Sequence, residues 1–202
     1  GIDYCCGGNV PLAEACGKKG LDPNTMITVL NNAAFTQPQQ EPRVDEYSTK
    51  ELVEHIVSTH HEFLRHELPR LKWLTEKVAE GHSDQDPRLS QIAAIYAGMM
   101  AELEPHQKDE EENVFPALIR AANAGKSVSE AQIRELIDEH AEVGKMLEQL
   151  RELTDDYTPQ EWMCNHTRTM IYSLSKLEAD LHRHIHKENN ILFARFGALE
   201  AS

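Results

Sequence analysis

Apolar residues recur every three or four positions along four long stretches of this chain. One stripe runs Val53, Val57, Leu64, Leu68, Leu71; the next Ile92, Tyr96, Met99, Leu103, Val114; a third Ile133, Leu136, Val143, Leu147, Leu150; a fourth Leu174, Leu177, Leu181, Ile191. That spacing lines up one face of an α-helix and predicts four amphipathic helices. Their starts carry the expected chemistry. Ser48 with Glu51 and Ser129 with Gln132 fit a capping box, while Asp86-Pro87 and Thr158-Pro159 set a capping side chain before Pro at the first helical position, Glu161 completing a box after Thr158. The helices are predicted over 49–80, 87–122, 130–154 and 159–196. The breaks at Gly81-His82-Ser83-Asp84, Asn123-Ala124-Gly125-Lys126 and Asp155-Asp156-Tyr157 are short, so neighbours are expected to run antiparallel. The fold class is all-α: an up-down antiparallel four-helix bundle, preceded by a small helical N-terminal domain.

Each stripe is interrupted at a core position by a residue of a type that can bind metal. His61 interrupts the first, His106 and Glu110 the second, His140 the third, His184 and Glu188 the fourth. With a rise of ~1.5 Å per residue, the four histidines fall roughly 15–24 Å from one end of the bundle. Burying four imidazoles and two carboxylates unpaired costs several kcal/mol for each ionised group; a bound cation removes that penalty. In each His-x-x-x-Glu pair the two side chains stand one above the other on a helix face, and a carboxylate can bridge two metals. The N/O donor set suits iron, with manganese or zinc less specific, and the lack of thiolates argues against a structural Cys-type zinc site. Six side chains around two metals leave positions for an oxo or hydroxo bridge, water or a small molecule. Any one such histidine, met alone, is more often a hydrogen-bonded core residue; the joint pattern favours a dinuclear site. His60 remains a rival to His61, because Ile56, His60 and Phe63 make a competing stripe. His182 and His186 flank His184 by two residues and so turn roughly 200° away around the helix; His55, His66, His82 and His166 lack the shared depth and register, and Asp109 to Glu112 reads as a solvated face. Pro105 and Pro116 are expected to kink the second helix or widen its turns, Pro105 re-aiming His106.

Charge and cysteine content narrow the classes. Twenty basic against 34 acidic residues give a net charge of −14, which disfavours nucleic acid or an anionic membrane as partner. No apolar run reaches the ~20 residues that span a bilayer. Four cysteines, Cys5, Cys6, Cys16 and Cys164, make no disulfide framework and point to a reducing cytoplasm. Cys5-Cys6 before Gly7-Gly8 is compatible with redox work, metal transfer or a buried turn. Residues 1–36 are expected to form the Cys-bearing helical domain, with helices opening at Pro11 and at Asp22-Pro23. Residues 37–47 form a polar, Pro-bearing linker and 48–197 the bundle.

Several of these segments together resemble a known family. Asp3-Tyr4-Cys5-Cys6-Gly7-Gly8, His60-His61-Glu62-Phe63-Leu64-Arg65-His66-Glu67-Leu68-Pro69, His106 to Glu110 followed by Asn113-Val114-Phe115-Pro116, Glu139-His140, and His184 to Glu188 followed by Asn189-Asn190-Ile191-Leu192-Phe193 are similar to the iron-sulfur cluster repair di-iron proteins, the RIC family. The resemblance implies a hemerythrin-like bundle behind a cysteine-bearing domain. It implies two non-haem irons, oxo- or hydroxo-bridged, held by His61, His106, Glu110, His140, His184 and Glu188, with the two glutamates bridging, and it selects His61 over His60. It also implies donation of iron to clusters damaged by nitrosative or oxidative stress, in the cytoplasm, with damaged iron-sulfur proteins as partners and Cys5 and Cys6 as redox or iron-transfer residues. Two departures stand out: the family carries more chain ahead of the cysteine pair, so residues 1–36 are expected to be truncated, and Ala194 stands where a Pro often follows the Phe. The alternatives are an oxygen- or nitric-oxide-binding or sensing protein and a nitric oxide reductase.

Overall fold

The computed structural model describes residues 10–36, 43–126 and 128–197, and among these there is helix but no strand. Two short helices come first, α1 (Leu12–Lys18) and α2 (Pro23–Thr36). Asp22 Oδ2 accepts from the backbone N–H and the hydroxyl of Thr25, 2.7 Å each, and so caps α2. A 3₁₀ turn at Val44–Glu46 leads into the bundle helices α3 (49–82), α4 (88–124), α5 (Glu130–Leu153) and α6 (165–196).

Cross-links between these helices fix their directions. Along α3 and α6, His60 meets Asp180, Arg70 meets Ser173 and His82 meets Cys164. Along α5 and α6, His140 meets Asn189 and Arg151 meets Glu178. Along α4 and α5, His106 meets Glu139 and Arg88 meets Asp155. In each pair one number rises as the other falls, so adjacent helices are antiparallel and the expected up-down bundle is the fold observed.

The helix starts are made by local hydrogen bonds. Ser48 and Glu51 form the expected reciprocal box, Ser48 N–H donating to Glu51 Oε2 at 2.8 Å and Glu51 N–H to Ser48 Oγ at 3.3 Å. Asp86 Oδ1 accepts from the Arg88 N–H at 3.0 Å, and α4 starts at Arg88. Ser129 precedes α5 without a side-chain cap, so its expected box is not made. The largest correction is α6, which begins at Asn165 rather than at Pro159. Asp155, Asp156 and Tyr157 all have φ between 51° and 58°, turning the chain sharply. Arg168 then takes up the carbonyls that a longer helix would use: its Nε donates to Met163 O at 2.9 Å and its Nη2 to Gln160 O and Glu161 O at 2.9 and 3.0 Å. Met163 is thereby held buried against the core.

The interior falls into two apolar clusters. The larger holds Leu64, Leu68, Leu71, Tyr96, Met99, Leu103, Val143, Leu147, Leu177 and Leu181 with their neighbours. The smaller holds Leu52, Val53, Ile56, Val114, Phe115, Leu118, Ile133, Leu136, Leu192 and Phe193. Along every bundle helix the boundary between the clusters falls at the His or Glu residue that interrupts the stripe. No described helix is long and apolar enough to cross a membrane.

Candidate metal centre

Three of the four bundle helices depart from α geometry beside these residues. α3 is α-helical over Thr49–Ile56 and Glu62–His82 with a π turn at Val57–His61 between. In α4 a π turn at Glu110–Val114 joins Arg88–Asp109 to Phe115–Ala124. In α6 Lys187–Leu192 follows Asn165–His186 and leads to a 3₁₀ turn at Phe193–Phe196. Such a turn inserts a residue and resets which side chains face inward; turns of this kind gather at functional sites. Pro116 sits just past the turn in α4, where its missing N–H cannot serve the carbonyl of Glu112. No widened turn occurs at Pro105, and His106 lies within a continuous α-helical segment.

The six interrupting side chains meet at one place. His61 Nε2 and His184 Nε2 are 3.0 Å apart, and His106 Nε2 and His140 Nε2 are 2.9 Å apart. Each carboxylate reaches toward both imidazole pairs. Glu110 Oε2 lies 3.5 Å from His61 Nε2, and its Oε1 lies 3.4 and 4.0 Å from the Nε2 atoms of His106 and His140. Glu188 Oε1 lies 2.9 Å from His184 Nε2 and 3.7 Å from His61 Nε2, and its Oε2 lies 3.4 Å from His140 Nε2. His61, Glu110 and Glu188 are 0% exposed. Two groups with metal-binding geometry result, His61, Glu110, His184 and Glu188 in one and His106, Glu110 and His140 in the other.

Three neighbours fix the far nitrogens of the rings. Nδ1–H of His61 donates to Glu111 Oε1 at 2.7 Å, that of His106 to Glu139 Oε2 at 2.6 Å, and that of His140 to Asn189 Oδ1 at 2.8 Å; Arg65 in turn holds Glu111. In the neutral rings those tautomers leave the Nε2 lone pair aimed at the centre, the outer support usual for histidine ligands. Glu111 is therefore no mere member of a solvated acidic run. Its signal was adjacency: Glu111, Glu139 and Asn189 each stand next in sequence to a stripe-breaking residue. His60 lies outside the six, with Nδ1 3.0 Å from Asp180, and His66 and His82 pair with Glu62 and Cys164.

The donor set fits a cation. Glu110 Oε1 and Oε2 and Glu188 Oε2 are buried without a hydrogen-bond partner among the described residues, and facing Nε2 atoms about 3 Å apart match adjacent donors on a metal bound at ~2.1 Å. Electrostatics agree. Burial alone would lower His61, but the polar contacts and charge of Glu110 and Glu188 outweigh it and raise this ring to about 10. His106 rises to about 9 against the same burial, chiefly through the charge of Glu110. Burial pushes Glu110 and Glu188 up, yet the surrounding imidazoles hold both below the usual carboxylate range. His140, almost fully buried, is lowered. Without metal, protons on two rings supply the positive charge that the carboxylates require.

A groove of about 500 Å³ between α4 and α5 reaches the second imidazole pair, bordered by Leu103, Pro105, His106, Glu135, Glu139 and His140. Cys5 and Cys6 lie outside the described residues; Cys16 is buried and Cys164 partly exposed, both as free thiols.

Residues 52–196 match the hemerythrin HHE cation binding domain, and residues 1–34 match ScdA_N, a domain of unknown function (DUF542). Among curated relatives, the iron-sulfur cluster repair protein ScdA of Staphylococcus haemolyticus is 35% identical over 198 residues, 97% of this chain and 88% of the relative. ScdA of Staphylococcus epidermidis is 30% identical over 198 residues, 96% of this chain and 88% of the relative. The iron-sulfur cluster repair protein YtfE of Yersinia pseudotuberculosis is 32% identical over 194 residues, 96% of this chain and 86% of the relative.

Proposed function

We propose a function that starts from family: the chain belongs to the hemerythrin HHE cation binding domain family and, over nearly its whole length, to the iron-sulfur cluster repair proteins. It repairs iron-sulfur clusters, as a protein with a dinuclear metal centre. The observation that carries this reading is the pair of carboxylates, each reaching toward two facing imidazole pairs. His61, His184, His106 and His140 would hold the metal as terminal ligands, with Glu110 and Glu188 each placed to be shared between two ions. Iron is the metal best matched to this N/O set, and when bound it supplies the redox and ligand-binding chemistry of the site.

The chain's own residues then do three things. Glu111, Glu139 and Asn189 keep the Nε2 lone pairs pointing inward. The two apolar clusters exclude water from the His61 and His184 side. The groove leaves the His106 and His140 side in reach of solvent, which suits iron as a releasable cargo for damaged iron-sulfur proteins in the cytoplasm. The same groove favours a second reading, in which oxygen or nitric oxide binds there reversibly or is reduced.

Elemental analysis of protein from iron-replete cells tests the centre, and transfer of labelled iron to an apo-cluster acceptor tests the function. About two irons per chain are expected, with Glu110→Leu and Glu188→Leu losing both the iron and the transfer. Full loading and repair by either variant would overturn the bridging roles. A reversible spectral change with nitric oxide and no iron transfer would favour the second reading.

A further inference from the structure

His184 differs from the other three histidines of the centre. Its Nδ1 is buried without a hydrogen-bond partner among the described residues, whereas the other three rings each donate to an oxygen. What His184 has instead is a second imidazole. The His60 ring lies parallel to it, 5° between planes and 5.2 Å between centroids, an offset stack.

His60 is itself held at both nitrogens. Its Nδ1 lies 3.0 Å from each oxygen of Asp180, and its Nε2 lies 2.8 Å from Lys187 Nζ. One proton assignment satisfies both contacts: Nδ1–H donates to the carboxylate and Nε2 accepts from the ammonium. Lys187 Nζ also lies 3.0 Å from His55 Nε2. Asp180 is four residues before His184 on α6 and Lys187 three after, so both project from the same face as His184. His60, from the π turn of α3, is pinned to α6 on either side of the ring that it covers, and it is 3% exposed.

We propose that His60, clamped between Asp180 and Lys187, is the positioning residue for His184: it sets the plane of that imidazole by stacking, in place of the hydrogen bond that orients the other three. The inference rests on the reading of His184 as a metal ligand for its consequence in metal retention, but the positioning itself exists without metal. His60 touches no metal in this scheme and acts only through His184.

Two measurements on the full chain test it. In metal-free protein, imidazole ¹H–¹⁵N spectra are expected to show His60 as the Nδ1–H tautomer, and His60→Ala to shift the ring signals of His184 while those of His106 stay in place. In iron-loaded protein, His60→Ala is expected to release iron to a chelator about 10-fold faster, the usual scale for losing an outer support, and to alter the ligand-to-metal absorption bands. His60→Phe, which keeps a ring in the stack, is expected to hold release within about twofold of the parent. Unchanged His184 signals in His60→Ala overturn the positioning role, and so does His60→Phe releasing iron as fast as His60→Ala. A parent chain that binds no iron, yet shows the His184 shift, would sink the metal-centre reading and leave the positioning role standing.

Discussion

Arg151 and Glu178 show what a buried ion costs when nothing shares its charge. Glu178 is 4% exposed on α6, outside the six residues of the candidate centre, and takes a two-point contact from Arg151 of α5, with Nε to Oε1 at 3.1 Å. The guanidinium also lies 5.1 Å over the Tyr157 ring. Removing the cation strands a desolvated carboxylate, so Arg151→Met is expected to lose about 3 kcal/mol, roughly 6–12 °C in thermal midpoint for a chain of this size. Arg151→Met with Glu178→Leu is expected to regain most of it; a single variant that melts with the parent would show that the pair is solvated. The same physics made the centre legible in sequence. His61, Glu110, His140 and Glu188 occupy places where the stripe calls for Leu or Ile, and a buried polar group at such a place needs a partner. Glu111 and Asn189 were marked only by standing next to Glu110 and Glu188; their roles were not, because their partners, His61 and His140, lie on other helices.

At the scale of the elements, hydrophobic period gave the four helices but not their irregular turns. A stripe with spacings of three and four absorbs one extra residue without breaking, so the π turns at Val57–His61, Glu110–Val114 and Lys187–Leu192 leave no mark in it. Deleting exposed Asn113 is expected to restore regular helix there and to rotate Val114, Phe115 and Leu118 by about 100°. These three are at most 3% exposed; at roughly 1.5–3 kcal/mol each, the variant is expected to lose more than about 10 °C in melting temperature and to fail to retain metal while its helical circular dichroism persists. A variant that melts with the parent would make the turn an incidental bulge. The misplaced start of α6 had a different cause: Thr158-Pro159 carries a genuine capping signal, but Arg168 and buried Met163 overrule it from further along the chain. The start that results puts Cys164 at the N-cap. A hydrogen bond from Thr167 leads the contacts that hold its thiol down to about 6, His82 contributing from 3.3 Å. The thiolate therefore dominates above that pH, so alkylation of Cys164, followed by peptide mapping, is expected to reach half its maximal rate near pH 6, with Thr167→Ala moving the midpoint up. A midpoint in the ordinary thiol range for the parent would refute this.

For the whole molecule, the centre is the seam between two apolar clusters, so what occupies it bears on the stability of the entire bundle. In metal-free protein the rings of His61 and His106 are raised to about 10 and about 9 from an unfolded value of ~6.5. Their contribution is complete below pH ~6.5 and is lost as pH climbs through 9 to 10. Glu110 and Glu188, held below the usual range, contribute fully above pH ~4.3 and lose that contribution only as pH falls through their lowered values. His140, lowered by burial, opposes protonation and shifts the optimum toward the upper end of this window. The metal-free bundle is thus expected to be most stable near pH 6 and to weaken steadily toward pH 10. Bound metal is expected to reverse that slope, because it would take deprotonated imidazoles and its affinity would grow with pH. At a free metal concentration 100 times the dissociation constant, binding adds about 2.7 kcal/mol. Melting curves with chelator and with iron, taken anaerobically from pH 6 to 9.5, are expected to diverge as pH rises, the metal-free midpoint falling by on the order of 10 °C while the loaded one holds. Parallel curves would mean that the groups carrying the protons at low pH are not the groups that carry the metal, and the shared identity of those two sets is what the geometry of the centre requires.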